Sequence, residues 1–158
     1  MLETDGWRVL EESRFLIPNL PPSVNSIYQI LFHLKRVEMK PDVRVWKNQA
    51  KMYIPSLKAL DDSFVFRLDA VFTYNWFYKN TKIRKFDSQN LLKVLCDAVA
   101  EKCGFRDELI KFGSWQSRHS EDKESVECVL SQVTNEVKGA TESVAQEHKK
   151  HKEQKHGQ

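Results

Sequence analysis

The sequence predicts an α+β protein: a single compact domain in which a mixed sheet is flanked by helices. Three observations carry this expectation. Residues 63–76 alternate, with Phe64, Phe66, Leu68, Ala70 and Phe72 on one side and Val65, Arg67, Asp69 and Val71 on the other. That is the period of a strand with one buried face. Over 88–103, Leu91, Leu92, Leu95, Ala98 and Val99 recur at helical spacing. Residues 109–117 and 125–133 then return to strand character around the polar turn 119–123. At 158 residues the chain is long enough for one such core.

The elements follow in order. Residues 1–13 are polar and read as a segment that frays, and the main domain runs over 14–134. Residues 14–19 form a short strand that enters a turn at Pro21 and Pro22. Ile27, Ile30, Leu31 and Leu34 give 24–36 a helical or irregular character. Residues 42–60 read as a helix whose apolar face is Val43, Trp46, Ala50, Tyr53, Ile54 and Leu57, with a kink at Pro55. Its other face carries Arg44, Lys47 and Lys51, with Lys58 near the end; this is a solvated face or a track for DNA phosphates. Residues 61–63 make a turn into the long strand. Trp76, Phe77 and Tyr78 follow, more aromatic than a loop needs. They are a hydrophobic plug or dimer contact on one reading, and a stacking platform for unstacked bases on the other.

The helix 88–103 has clear ends. Asp87 or Ser88 serves as N-cap and Gly104 as the stop. Asn90, Lys93, Asp97 and Glu101 share a second face, at spacings of three and four. From residue 135 to 158 the composition turns polar, low-complexity and His-containing, ending in a basic stretch that reads as a disordered tail.

Composition narrows the function classes. A formal net charge of +3 is too small for a globally basic protein. A nucleic-acid surface must therefore come from local clustering, and Lys79, Lys82, Arg84 and Lys85 form such a cluster just before Asp87. Cys96, Cys103 and Cys128 have no paired spacing and no four-ligand Cys/His pattern accompanies them, which speaks against zinc and for a reducing compartment. No apolar run is long enough to cross a bilayer, and no signal-peptide core opens the chain, so a cytoplasmic, non-membrane protein is expected. Asp87 at one end of the helix, Asp107 and Glu108 past the other, and Lys93 between them suit a divalent metal acting on phosphate. Carboxylate oxygens hold the ion and the cation meets the substrate.

The same residues carry a resemblance. Residues 20–25 (LPPSVN), followed by Tyr28, are similar to the Pro-Pro-Ser-x-Asn signature of RusA-type Holliday-junction resolvases. Residues 67–72 resemble the strand before that family's active site. Residues 87–93 (DSQNLLK) resemble its Asp-x-Asp-Asn-x-x-Lys core, continued by Asp97 and Ala98, and 104–108 (GFRDE) resemble its closing Gly…Asp-Asp segment. The matches span roughly residues 15–133 in the family's order. The resemblance implies a RusA-like fold and a homodimeric, metal-dependent endodeoxyribonuclease that resolves four-way junctions in recombination and repair. Asp87, Lys93, Asp107 and Glu108 would be catalytic. Mg²⁺ or Mn²⁺ would lie on Asp87, Asp107 and Glu108 with the Gln89 carbonyl, and DNA on Lys79, Lys82, Arg84, Lys85, Asn90 and Asn25. Gln89 stands where the family has a second aspartate, so one charge near the metal is missing. Asp69 could replace it if its side chain enters the site, whereas Asp97 reads as a partner of Lys93. The missing charge also leaves open a weakened relative that binds branched DNA without efficient cleavage.

Overall fold

The computed structural model describes residues 7–22, 27–57, 64–85 and 87–135. The elements are β1 (Trp7–Ile17), β2 (Tyr28–Leu31), β3 (Arg36–Met39), α1 (Pro41–Ala50), β4 (Val65–Tyr74), α2 (Ser88–Cys103), β5 (Ile110–His119) and β6 (Ser125–Asn135). A four-stranded sheet has the order β1-β6-β4-β5, and β2 and β3 form a separate two-stranded hairpin. β6 is antiparallel to both β1 and β4, whereas β5 runs parallel to β4. A parallel neighbour needs a crossover, and α2 supplies it. The fold is therefore the mixed α+β domain that the sequence predicts.

The alternation of β4 is realised. Phe66, Leu68, Ala70 and Phe72 are buried, while Val65, Arg67, Asp69 and Val71 are half-buried on the opposite face. The buried face, with Val126, Cys128 and Leu130 of β6, packs in one cluster with Leu91, Val94, Leu95, Ala98 and Val99 of α2 and Val43, Trp46 and Ala50 of α1. α2 has the expected ends. The Asp87 carboxylate accepts the backbone N–H groups of Gln89 and Asn90 at 3.1 and 3.2 Å, which satisfies two of the four free donors of the first turn. Gly104 adopts φ 74°, a left-handed conformation that costs glycine little, and its N–H donates to the Ala100 carbonyl. The turn brings Phe105 onto Phe66, with ring centroids 4.0 Å apart and planes nearly parallel.

Three segments depart from the sequence reading. β1 begins at Trp7, so residues 7–13 are paired with β6 rather than frayed. Residues 28–39 are a β-hairpin joined by a 3₁₀ turn at Phe32–Leu34, in place of the helical or irregular segment expected: Ile30 lies opposite Val37, and Lys35 turns the chain at φ 49°. Of Ile27, Ile30, Leu31 and Leu34, only Ile27 is buried. The helix expected over 42–60 ends at Ala50, although Ile54 and Leu57 still reach the core beyond it. The tail read from 135 onward lies, apart from Asn135, outside the described residues, as do residues 1–6 of the N-terminal segment. Among the described residues no helix is long and apolar enough to cross a membrane.

Candidate active site

The second face of α2 is the chemically loaded one. Asp97 and Glu101, one helical turn apart, border an open cleft of about 330 Å³ together with Ala100, Gly104, Phe105 and Asp107. The left-handed turn at Gly104 and the docking of Phe105 on Phe66 direct the chain back along the helix. The 3₁₀ turn Asp107–Leu109 thereby sets Asp107 beside Asp97. From the other side α1 delivers Lys47 and its C-cap delivers Lys51, which both form ion pairs with Glu101. Lys47 is only 5% exposed.

Electrostatics separate the two helical carboxylates. Burial raises the Asp97 carboxyl above its ordinary value; Lys47 and Lys93 oppose this without outweighing it, and the charges of Asp107 and Glu101 add a smaller push in the same direction as burial. Burial also works on Glu101, but the hydrogen bonds from Lys47 and Lys51 outweigh it and hold that carboxyl below its ordinary value. Glu101 is thus a locked anion, and Asp97 is a carboxyl whose charged form burial disfavours. Burial and then the charges of Asp97 and Asp107 push the Cys96 thiol up to about 11. At neutral pH it is a protonated thiol and a poor nucleophile.

The residues expected from the sequence are distributed as follows. Asp107 faces the cleft, and Lys93 is exposed, an electrostatic neighbour of Asp97 with its ammonium 5.7 Å from the Tyr28 ring centroid. Asp87 is not part of this group. It caps α2 ten residues before Asp97, about 15 Å away along the axis at ~1.5 Å per residue. Gln89 lies beside it, exposed in the first turn. Glu108 does not line the cleft; it is exposed and pairs with Arg106 at 3.0 Å. The convergence expected of Asp87, Asp107 and Glu108 is therefore not seen: the acids that line the cleft are Asp97, Glu101 and Asp107. Asp69 does not compensate for Gln89, because it projects from the opposite face of the sheet. There its carboxylate lies 3.0 Å from Arg67 Nε and accepts from Ser114 Oγ at 2.8 Å.

Among the DNA candidates, Lys79, Lys82 and Lys85 are exposed. Arg84 is instead a clasp. Its Nη1 donates to the Asn75 carbonyl at 3.1 Å and lies 3.5 Å from Glu124, and the guanidinium sits about 6 Å from the Tyr74 and Tyr78 rings. The Asn90 backbone N–H is taken up by the Asp87 cap. Asn25 lies outside the described residues. Sequence reasoning undervalued Asp97 and Glu101, whose shared face with Lys93 was the available signal, and read Lys47 as a surface charge.

Among the described residues, no three His, Cys, Asp or Glu side chains are grouped to cage a metal. Asp97 and Asp107 are oxygen donors of the type a hydrated Mg²⁺ takes, since that ion is commonly bound through one or two carboxylates plus substrate phosphate and keeps several waters. No protein-family model matches the chain, and no curated protein matches it.

Proposed function

We propose that this protein is a metal-dependent endodeoxyribonuclease selective for four-way DNA junctions, acting in recombination and repair as the RusA-type resolvases it resembles do. The observation that supports this most directly is the pairing of Asp97 with Asp107 in one cleft, with Lys93 one turn away on the same helix face. A Mg²⁺ or Mn²⁺ held by Asp97 and Asp107 would supply Lewis acidity to a phosphodiester and an activated water. The chain's own residues do the rest. Lys93 neutralises a phosphoryl oxygen, Glu101 anchors Lys47 and Lys51 beside the carboxylates, and Lys79, Lys82 and Lys85 hold flanking phosphates. A homodimer would present two such sites to the near two-fold symmetry of a junction.

A second reading is favoured by the N-terminus of α2. Asp87 is committed to capping, and Gln89 beside it brings no charge, so that end lacks the paired acids of the family core. On this reading the protein grips branched DNA and cleaves it poorly. Gel-shift and cleavage assays on a four-way junction, in Mg²⁺ and in Mn²⁺, decide between the two. Nicking that is lost in Asp97→Asn and Asp107→Asn with binding retained supports the nuclease. Binding without nicking in either metal supports the second reading. Failure to bind the junction overturns both.

A further inference from the structure

We infer that the hairpin 75–85 is a platform for unpaired nucleobases, so that the protein recognises single-stranded DNA character at a branch. This rests on the DNA-binding reading above and adds to it the feature that is recognised.

The hairpin is built rather than floppy. Phe77 and Ile83 form an antiparallel bridge, the Tyr78 N–H donates to the Lys82 carbonyl at 2.8 Å, and the Arg84 N–H donates to the Trp76 carbonyl at 2.7 Å. Asn75 and Asn80 side chains accept from the backbone N–H groups of Phe77 and Lys82, which are Asx turns. Thr81 closes the tip at φ 64°. The Arg84 clasp fixes the base to Tyr74 and Glu124. His119 of β5 props the aromatic side: its ring centroid lies 5.5 Å from Trp76 and 5.6 Å from Phe77, and its Nδ1 accepts the Trp76 N–H at 3.3 Å.

This framework holds its rings out of the core. Trp76, Phe77 and Tyr78 are 38%, 41% and 55% exposed. A hydrophobic plug would bury them, so that reading of the segment fails. Charge then selects the occupant. Residues 75–85 contain four Lys or Arg and no Asp or Glu. Arg84 serves the fold, and among the described residues no carboxylate pairs with Lys79, Lys82 or Lys85. Aromatic faces interleaved with cations match a strand that offers a base and a phosphate at each step. Duplex DNA would use the lysines only, because its bases are already stacked on one another. A second copy of this chain would bring lysine against lysine.

The test is fluorescence anisotropy with three labelled probes: a short oligothymidylate, a blunt duplex of equal length and a four-way junction. The native protein should bind oligothymidylate more tightly than duplex. Trp76→Ala/Phe77→Ala should weaken oligothymidylate binding by about 5- to 150-fold for one lost stacking contact, and leave duplex binding unchanged. Lys82→Ala/Lys85→Ala should weaken both and flatten the salt dependence. As a check on an intact fold, oligothymidylate should quench tryptophan emission in the native protein and quench it less in Trp76→Phe. Equal affinity of the native protein for oligothymidylate and duplex overturns the inference, as does unaltered oligothymidylate binding by the double alanine variant. A native dimer that this variant turns monomeric, with DNA binding intact, assigns the face to a second copy and also overturns it. Junction binding without oligothymidylate binding removes the platform alone, and no binding to any probe removes the DNA-binding reading with it.

Discussion

Lys47 should be the most consequential charge in the fold, and replacing it tests the description of the cleft. Lys47→Met keeps most of the side chain's length and apolar contact and removes only the ammonium. Breaking a fully buried ion pair by deleting one partner costs about 3–5 kcal/mol. Here only Lys47 is buried, whereas the Glu101 side chain is 46% exposed and retains Lys51. Solvent and the remaining partner screen the loss to roughly half, about 2 kcal/mol. For a domain of this size that is a melting temperature lower by about 4–8 °C. The loss should depend on pH. Asp97 and Glu101 each lose a favourable neighbour, so both hold protons more tightly in the folded variant than in the native fold. Its stability deficit is then greatest near neutral pH and shrinks once the two carboxyls protonate, Asp97 first because its value is already raised. Thermal denaturation at neutral and acidic pH measures both effects. A double-mutant cycle with Asp97→Asn should show coupling of about 0.5–3 kcal/mol. A melting temperature unchanged at neutral pH, or a deficit that grows on acidification, would refute the claim that Lys47 neutralises these carboxylates.

Four further outcomes are expected. Asp87→Ala should cost about 1 kcal/mol through the lost cap, whereas Asp87→Asn should keep stability; urea melts distinguish them, and equal losses would show that charge matters more than capping. Gln89→Asp should raise cleavage in Mg²⁺ if the N-terminal end of α2 belongs to the site, and should raise only stability, by about 0.3–1 kcal/mol through the helix dipole, if it does not. A Cβ at Gly113 would stand 2.2 Å from Arg67 Nε and 2.4 Å from Asp69 Oδ1, so Gly113→Ala should destabilise by about 1–3 kcal/mol unless that pair swings away, which an unaltered melting temperature would reveal. Asp97→Asn should stabilise the protein at neutral pH while abolishing cleavage. Its carboxyl is raised in the fold, so the native protein loses stability as pH rises through that window; the advantage of the variant should vanish below the ordinary carboxylate range, and a lower melting temperature at neutral pH would contradict the assignment.

What the sequence revealed depended on how local the signal was. α2 was legible from end to end because its cap at Asp87, its stripe from Leu91 to Val99 and its stop at Gly104 all lie within one short stretch. β4 was legible because its single buried face imposes strict alternation. Residues 28–39 misled because Ile27, Ile30, Leu31 and Leu34 also satisfy a helical period, and because the turn is made by Lys35, a residue that carries no sign of a left-handed conformation. The candidate site failed for a related reason. The face holding Lys93, Asp97 and Glu101 could be read from spacing, but the order of importance within it could not. That order is set by Lys47, 54 residues away in the chain, and by Phe105, whose stacking on Phe66 returns Asp107 to the helix.

The placement of these acids argues for their use. The last turn of a helix carries the negative end of its dipole and disfavours anions. α2 nevertheless sets Glu101 in its last turn, with Asp97 one turn before it, and the chain beyond brings Asp107 to the same cleft. The fold meets part of this with Lys47 of α1, taken almost wholly out of water, and Lys51 at its C-cap, and pairs both with Glu101. Asp97 is left partly buried, and the charges of Lys47 and Lys93 do not outweigh that desolvation. A fold optimised for stability alone would place an amide or an apolar side chain at that position. A carboxyl held against desolvation in an open cleft is the kind of arrangement that clusters at functional sites, where a fold accepts a local cost. The helix end that would have welcomed anions uses its one acid, Asp87, as a cap and leaves Gln89 neutral. The polarity of α2 is thus divided: its N-terminus is capped by the Asp87 carboxylate, and its C-terminal half carries two of the acids that border the cleft.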